Sequence, residues 1–284
     1  MIKGTFDIDI DHIPIAAECG FDVVQTYSLT YDHFYRWEEE EAKEYTSRYL
    51  DEAEKHNVKV LLYIPRFFFG PDQINKPKAE PNLRKYIQEF STHPAVHAWY
   101  LADEPEYQSK YNYASPLYYD TLATCRFYKK DTPVYVATAD WVKHWGQYKF
   151  STRWNDIRYM CSNYMIRRYY NTFGIGNDIV HWMWRHLIKK YGLRNVVPII
   201  QTHDHNLWTG KGYRDPTQKE IISQLDRAIE LDVPEIWSFG IHAYEGGRFP
   251  YNIETVERTN LARVMNNYIA SNTNEQSKME GTEY

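Results

Sequence analysis

At 284 residues, the chain is long enough for one large α/β domain, and no Gly/Ser/Pro-rich linker divides it. Hydrophobic residues at 43% supply a core, while a net charge of −5 gives no electrostatic ground for a nucleic-acid or anionic-membrane partner. No apolar run approaches the ~18 residues of a membrane span, and the N-terminal MIKGTFDIDI lacks the apolar segment of a secretory signal, so a cytoplasmic protein is expected, with export of a processed form left open.

Strand-like and helix-like segments alternate from the first residue onward. Residues 4–9 (GTFDID) read as a weak first strand and 12–20 (HIPIAAECG) as a helix, followed by a β-branched strand at 21–27 (FDVVQTY). The segment 38–57 opens with four acids and ends near Lys55 and His56, the charge order a helix dipole favours. Residues 58–66 (VKVLLYIPR) form a third strand, 82–90 a helix, and the run containing HAWYLADEPE, residues 97–106, a fourth strand.

A helix at 116–130 then precedes a fifth strand at 133–140 (PVYVATAD). Strands six to eight fall at 157–166, 196–205 and 236–244, separated by helices at 178–192 and 216–232, and a last helix covers 252–270. Strand and helix repeated about eight times over this length predict a single (β/α)8 TIM barrel over residues 1–270, because parallel neighbours need crossover helices. An open doubly wound sheet is disfavoured by the lack of a Gly-rich phosphate loop. Residues 271–284 carry no periodicity and are expected to be a disordered tail.

In such a barrel the reactive face is formed by the C-terminal strand ends. Those ends carry Asp7 and Asp9; Gln25 and Tyr27; Arg66; Asp103 and Glu104; Asp140 and Trp141; Asn163 and Tyr164; Gln201, His203, Asp204 and His205; and Trp237, His242, Tyr244 and Glu245. A ring of carboxylates, amides and aromatics suits a neutral, hydroxyl-rich ligand better than a phosphate. The fourth strand is the most informative, since an apolar run that ends on two adjacent carboxylates and Pro105 can place them only at its open end.

The stretch HPAVHAWYLADEPE resembles the strand-four region of the retaining β/α-barrel glycosidases, where such a run ends in Asn/Asp-Glu-Pro. CSNYMI is similar to the strand-six pattern of that group, and YRDPTQKEIISQLDRAIELDVPEIWSF to its Arg-x-Pro-Thr helix start before strand eight. The resemblance spans roughly residues 93–239 by pattern. It implies a carbohydrate ligand, no cofactor, Glu104 as general acid/base and Asp103 in contact with the sugar.

It departs where strand seven of those glycosidases ends on a nucleophilic glutamate, because Gln201 stands there and an amide cannot act as nucleophile or base. Asp204 and Glu245 are the candidates for a second carboxylate, which must lie ~5 to 5.5 Å from the first for retention or ~6.5 to 9.5 Å for inversion. Arg66, Asp140, Tyr164, Gln201, Trp208, Trp237 and Tyr244 complete the expected substrate-binding set.

Each feature has a plainer use. Glu104 can pair with a barrel arginine such as Arg66, and Asp103 can be a solvated turn acid. His203-Asp204-His205 places two imidazoles on one face of an extended segment, but no cysteine or second His-x-His accompanies it, so a polar loop is preferred over a metal site. Cys19, Cys125 and Cys161 read as free thiols in packed positions. Trp208, in the polar loop HNLWTGKGYRD, is the preferred sugar platform, whereas Trp237 follows Ile236 within a strand and can face either way. Three functions remain open: a glycosidase, a glycan-binding barrel without turnover, and a muramidase-like lysin suggested by the acids near strand one and the two carboxylates of strand four.

Overall fold

The computed structural model describes residues 1–6, 8–26, 28, 39–64, 79–103, 124–125, 127–128, 132–138, 157–162, 184–189, 191–200, 218–239 and 266–271; for residues 39, 79–80, 82, 102–103, 138, 157–162, 218, 220 and 239 it describes the backbone alone. Eight parallel strands close into a barrel in sequence order. They are β1 (Ile2–Phe6), β2 (Val23–Val24), β3 (Lys59–Tyr63), β4 (Val96–Asp103), β5 (Val134–Thr138), β6 (Ile157–Ser162), β7 (Val196–Ile200) and β8 (Glu235–Phe239). The ring closes where β8 returns to β1 in a register running from Ile2↔Glu235 to Phe6↔Phe239.

Helices α1 (Ile13–Glu18), α2 (Glu39–Lys55), α3 (Ala79–Phe90) and α4 (Gln218–Glu230) follow β1, β2, β3 and β7, as crossover connections between parallel strands require. Residues 124–125, 127–128, 184–189 and 266–271 are also helical. The final helix takes in Ser271, expected as the first tail residue, whose Oγ donates to the Asn267 carbonyl; the rest of the tail lies outside the described residues. Asn57 and Asp232, just after α2 and α4, both adopt positive φ (55° and 53°), which short polar side chains tolerate and which stops a helix with a tight turn.

The helix layer is tied to the strands by buried hydroxyls and amides. Tyr49 on α2 donates to the Ile8 carbonyl at 2.8 Å, and Thr46 on the same helix lies 3.3 Å from the Tyr86 hydroxyl on α3. Asn266 in the last helix donates to the carbonyl of Cys19 at 2.6 Å, joining the end of the chain to α1. Cys19 and Cys125 are buried free thiols, as expected. The Cys161 side chain lies outside the described set.

Alternation along each strand sends every second side chain to the barrel axis. Phe6 meets Trp237 at 4.8 Å between ring centroids and Tyr100, from across the barrel, at 5.8 Å; Tyr100 meets Tyr63 at 5.3 Å. Beneath these rings lies a buried carboxylate. Glu235, with no exposed surface, accepts the Trp237 indole N–H at 2.6 Å and the Tyr135 hydroxyl at 2.7 Å. Tyr135 also lies 3.4 Å from His97 Nε2.

The indole of Trp237 fits because its partner in β1 is Gly4. A Cβ on Gly4 would fall 2.2 Å from Trp237 Cε2, inside the ring's van der Waals surface. Gly4→Ala is therefore expected to destabilise the protein by at least the ~1 to 3 kcal/mol typical of overpacking, read as a lower urea midpoint. An unchanged midpoint would mean that the ring can move aside.

Candidate functional site

Among the described residues β4 is the longest strand, and it carries two register irregularities. On the β3 side His97 is passed over between the pairs Val60↔Val96 and Leu61↔Ala98, and on the β5 side Leu101 is passed over between Tyr100↔Tyr135 and Ala102↔Val136. An inserted residue bends a strand and re-aims the residues beyond it, and bulges of this kind concentrate at barrel rims and beside active sites. The last residue of the bulged strand is Asp103, paired with Ala137, at the C-terminal end of the barrel; Glu104 is the residue that follows it in the sequence.

Only part of the expected site falls among the described residues. The backbone of Asp103 and all of Trp237 do, whereas Glu104, Asp204, Glu245, Arg66, Asp140, Tyr164, Gln201, Trp208 and Tyr244 lie outside them. Among the described residues, no group of three or more His, Cys, Asp or Glu could hold a metal, and no helix is long and apolar enough to cross a membrane. His203-Asp204-His205 is likewise outside.

Trp237 is not the open sugar platform that its strand position allowed. It faces the axis with 0% exposure, one side against Gly4 and Phe6 and its N–H directed to Glu235. A stacking platform needs a ring face free of protein, and this one is packed between residues of β1 and β8.

The described rim at β1 and β2 holds a polar cluster. Asp9, in the loop after β1, accepts the Ser28 hydroxyl at 2.5 Å, with the Thr26 hydroxyl at 3.5 Å, and the Ser28 amide donates to Thr26 Oγ1 at 3.1 Å. One carboxylate thus holds the turn that follows β2. Tyr45 on α2 packs beside it; burial, then the charge of Asp9, pushes its hydroxyl up to about 12.

Gln25 stands at the start of that turn. Its backbone continues the sheet, donating to the Thr5 carbonyl at 3.0 Å and accepting from Ile8 at 2.9 Å. Two residues beyond Val23, the partner of Gly4, strand alternation puts its side chain on the axial face beside Phe6. The amide nitrogen donates to the Thr26 carbonyl at 2.8 Å, while the amide oxygen is buried and has no donor among the described residues. Such an unmet buried acceptor costs about 1 to 3 kcal/mol. The sequence marked Gln25 and Asp9 as strand-end residues but gave neither a role. Polar residues directly after a β-branched run were the available signal.

Among the described residues, Tyr45, Tyr86 and Cys125 hold their protons more tightly when folded, all raised by burial. A group with a raised folded pKa contributes stability that is complete below its unfolded value, ~10 for tyrosine and ~8.5 for cysteine, and is lost as pH rises towards the folded one. Melting temperature should therefore fall as pH rises above about 9, and Tyr45→Phe should flatten the fall between about pH 10 and 12. Parallel curves for the two proteins would show that Tyr45 titrates as it does in the unfolded chain.

No family model matches the chain, and no curated protein sequence does. Solved structures do match. The chain is similar to GH5_18 from Streptomyces cattleya in complex with GlcNAc, at 12% identity with a TM-score of 0.62, over 95% of this chain and 80% of that one. It is similar to Cel5A from Thermotoga maritima in complex with cellobiose, at 11% identity and a TM-score of 0.55, over 93% and 97% of the two chains. A further structure described as a glycoside hydrolase matches at 11% identity and a TM-score of 0.63, over 95% and 69%. At these identities the likeness is one of fold alone, an α/β barrel.

Proposed function

We propose that this barrel is a glycoside hydrolase acting at its C-terminal face on a neutral oligo- or polysaccharide, with Glu104 as general acid. The observation that carries the reading is the end of β4, where a twice-bulged strand ends on Asp103 and is followed at once by Glu104 and Pro105. Fold neighbours that hold GlcNAc and cellobiose support the choice of ligand class.

In this reading Glu104 donates its proton to the glycosidic oxygen as the bond to the anomeric carbon breaks, and the leaving sugar departs as a neutral alcohol. Asp204 or Glu245 activates the water that attacks the opposite face of the ring. Gln201, an amide at the strand-seven position, cannot form a glycosyl-enzyme intermediate, so a direct displacement with inversion is favoured over retention. Asp103, Arg66, Asp140, Tyr164, Gln201, Trp208 and Tyr244 position the substrate. Gln201 also supports a second reading, a barrel that binds glycans without cleaving them.

Glu104→Gln keeps shape and polarity but removes the transferable proton, so hydrolysis should fall by ~100- to 10,000-fold with the melting temperature nearly unchanged. Wild-type turnover in this variant would remove Glu104 from the mechanism. Gln201→Glu separates the alternatives. In an inverting enzyme the added charge crowds the water site and lowers activity, whereas in a lapsed retaining enzyme it restores a carboxylate pair and raises activity. A pure binder shows no turnover in any variant and retains its affinity for glycans.

A further inference from the structure

We propose that Gln25 is a substrate-binding residue, its amide oxygen accepting a hydrogen bond from a hydroxyl of the bound sugar; this rests on the carbohydrate reading above. The atom at issue is fixed by its neighbour. Because the Thr26 carbonyl can only accept, the nitrogen of the Gln25 amide must face it at 2.8 Å, and the oxygen is the atom turned elsewhere. That oxygen is buried, in a residue with 0% exposure, and finds no donor among the described residues.

Its place favours a ligand over an accident of packing. Gln25 sits one residue past β2, still within the ladder, at the C-terminal end of the barrel where α/β-barrel chemistry is assembled. Its side chain shares the axial face with Phe6, whose ring packs on Tyr100 of β4, the strand that ends at Asp103. Among the described residues Ser238 Oγ, on β8, is also buried without a partner, but Ser238 is paired in register with Thr5, on the outward face, and so has no comparable position.

The acceptor is also held in advance. Asp9 binds Ser28, the Ser28 amide binds Thr26, and the Thr26 carbonyl binds the Gln25 amide, so the oxygen's direction is set by a chain of hydrogen bonds that begins in the loop after β1. A neutral acceptor suits a hydroxyl or an amide N–H and discriminates against a carboxylate, which offers no proton at neutral pH. Sites built to pair with a hydroxyl reject analogues that lack it, because the site's own polar group is then left unpaired.

The test compares Gln25→Met, which keeps the length and removes both polar atoms, with Gln25→Glu, which keeps acceptor oxygens and loses the donor. The probe is the tightest-binding member of a panel of neutral mono- and disaccharides that includes GlcNAc and cellobiose, measured by calorimetry alongside thermal melting. The expected order of affinity is Gln25, then Glu, then Met, with Met about tenfold or more weaker than wild type, as for the loss of one buried hydrogen bond. The expected order of stability places Met above Glu, because Glu buries a charge.

Opposite orders for affinity and stability identify a binding residue, since a structural residue would move both together. Equal sugar affinity in wild type and Gln25→Met would overturn this inference and leave the carbohydrate reading standing. Failure of the wild type to bind any member of the panel would overturn the carbohydrate reading, and this inference with it. Should Gln25→Met not fold, an affinity loss of tenfold in Gln25→Glu would equally contradict the proposed acceptor role.

Discussion

The indole of Trp237 lying over Gly4, with its N–H on Glu235, is the contact around which this barrel closes. β1 and β8 are the first and last strands, separated by more than two hundred residues of chain, and their pairing must be specified by local fit. A missing side chain on one strand and the largest side chain on the other supply that fit. Glu235 then carries the constraint across the axis, because its second oxygen takes the Tyr135 hydroxyl from β5. A carboxylate in such a place is tolerated only when its lone pairs are met, and each of its oxygens receives a donor.

A filled axis leaves the strand ends as the place for binding. Trp237, Phe6, Tyr63 and Tyr100 fill the interior, so in the proposed reading the sugar lies across the C-terminal strand ends and reaches the axial face only at its upper edge, where Gln25 sits. Tyr100 links the packed interior to the rim. It belongs to the aromatic core, yet it lies between the two irregularities of β4 and precedes Asp103 by three residues. Packing therefore anchors the middle of that strand while its end is re-aimed. Two strands away around the barrel, Asp9 sets the turn after β2 and, through it, the direction of Gln25.

The barrel was legible in the sequence because apolar runs and amphipathic segments alternate with little ambiguity, and the end of the fourth run at Asp103 matches the end of β4. Its bulges were not. Residues 98–102 are apolar on both faces, so an extra residue leaves no mark in a period of two. The same saturation hid the orientation of Trp237, whose neighbour Ile236 is equally apolar. Glu235 falls one residue before the strand expected at 236–244, and β8 begins on it; an acid directly after Pro234 and ahead of a buried run needs partners. Gln25 and Asp9 were visible as polar strand ends; which of their atoms were satisfied depends on the distances between loops.

The most direct measurement is a crystal structure of the Glu104→Gln protein with an oligosaccharide substrate bound intact. A glycosidic oxygen within hydrogen-bonding reach of residue 104, ~2.6 to 3.2 Å, with the sugar lying across the C-terminal strand ends, is the expected result. A sugar bound against the outer helices or at the N-terminal end of the strands, with residue 104 out of reach, would contradict the assignment of this barrel's chemistry to the end of β4.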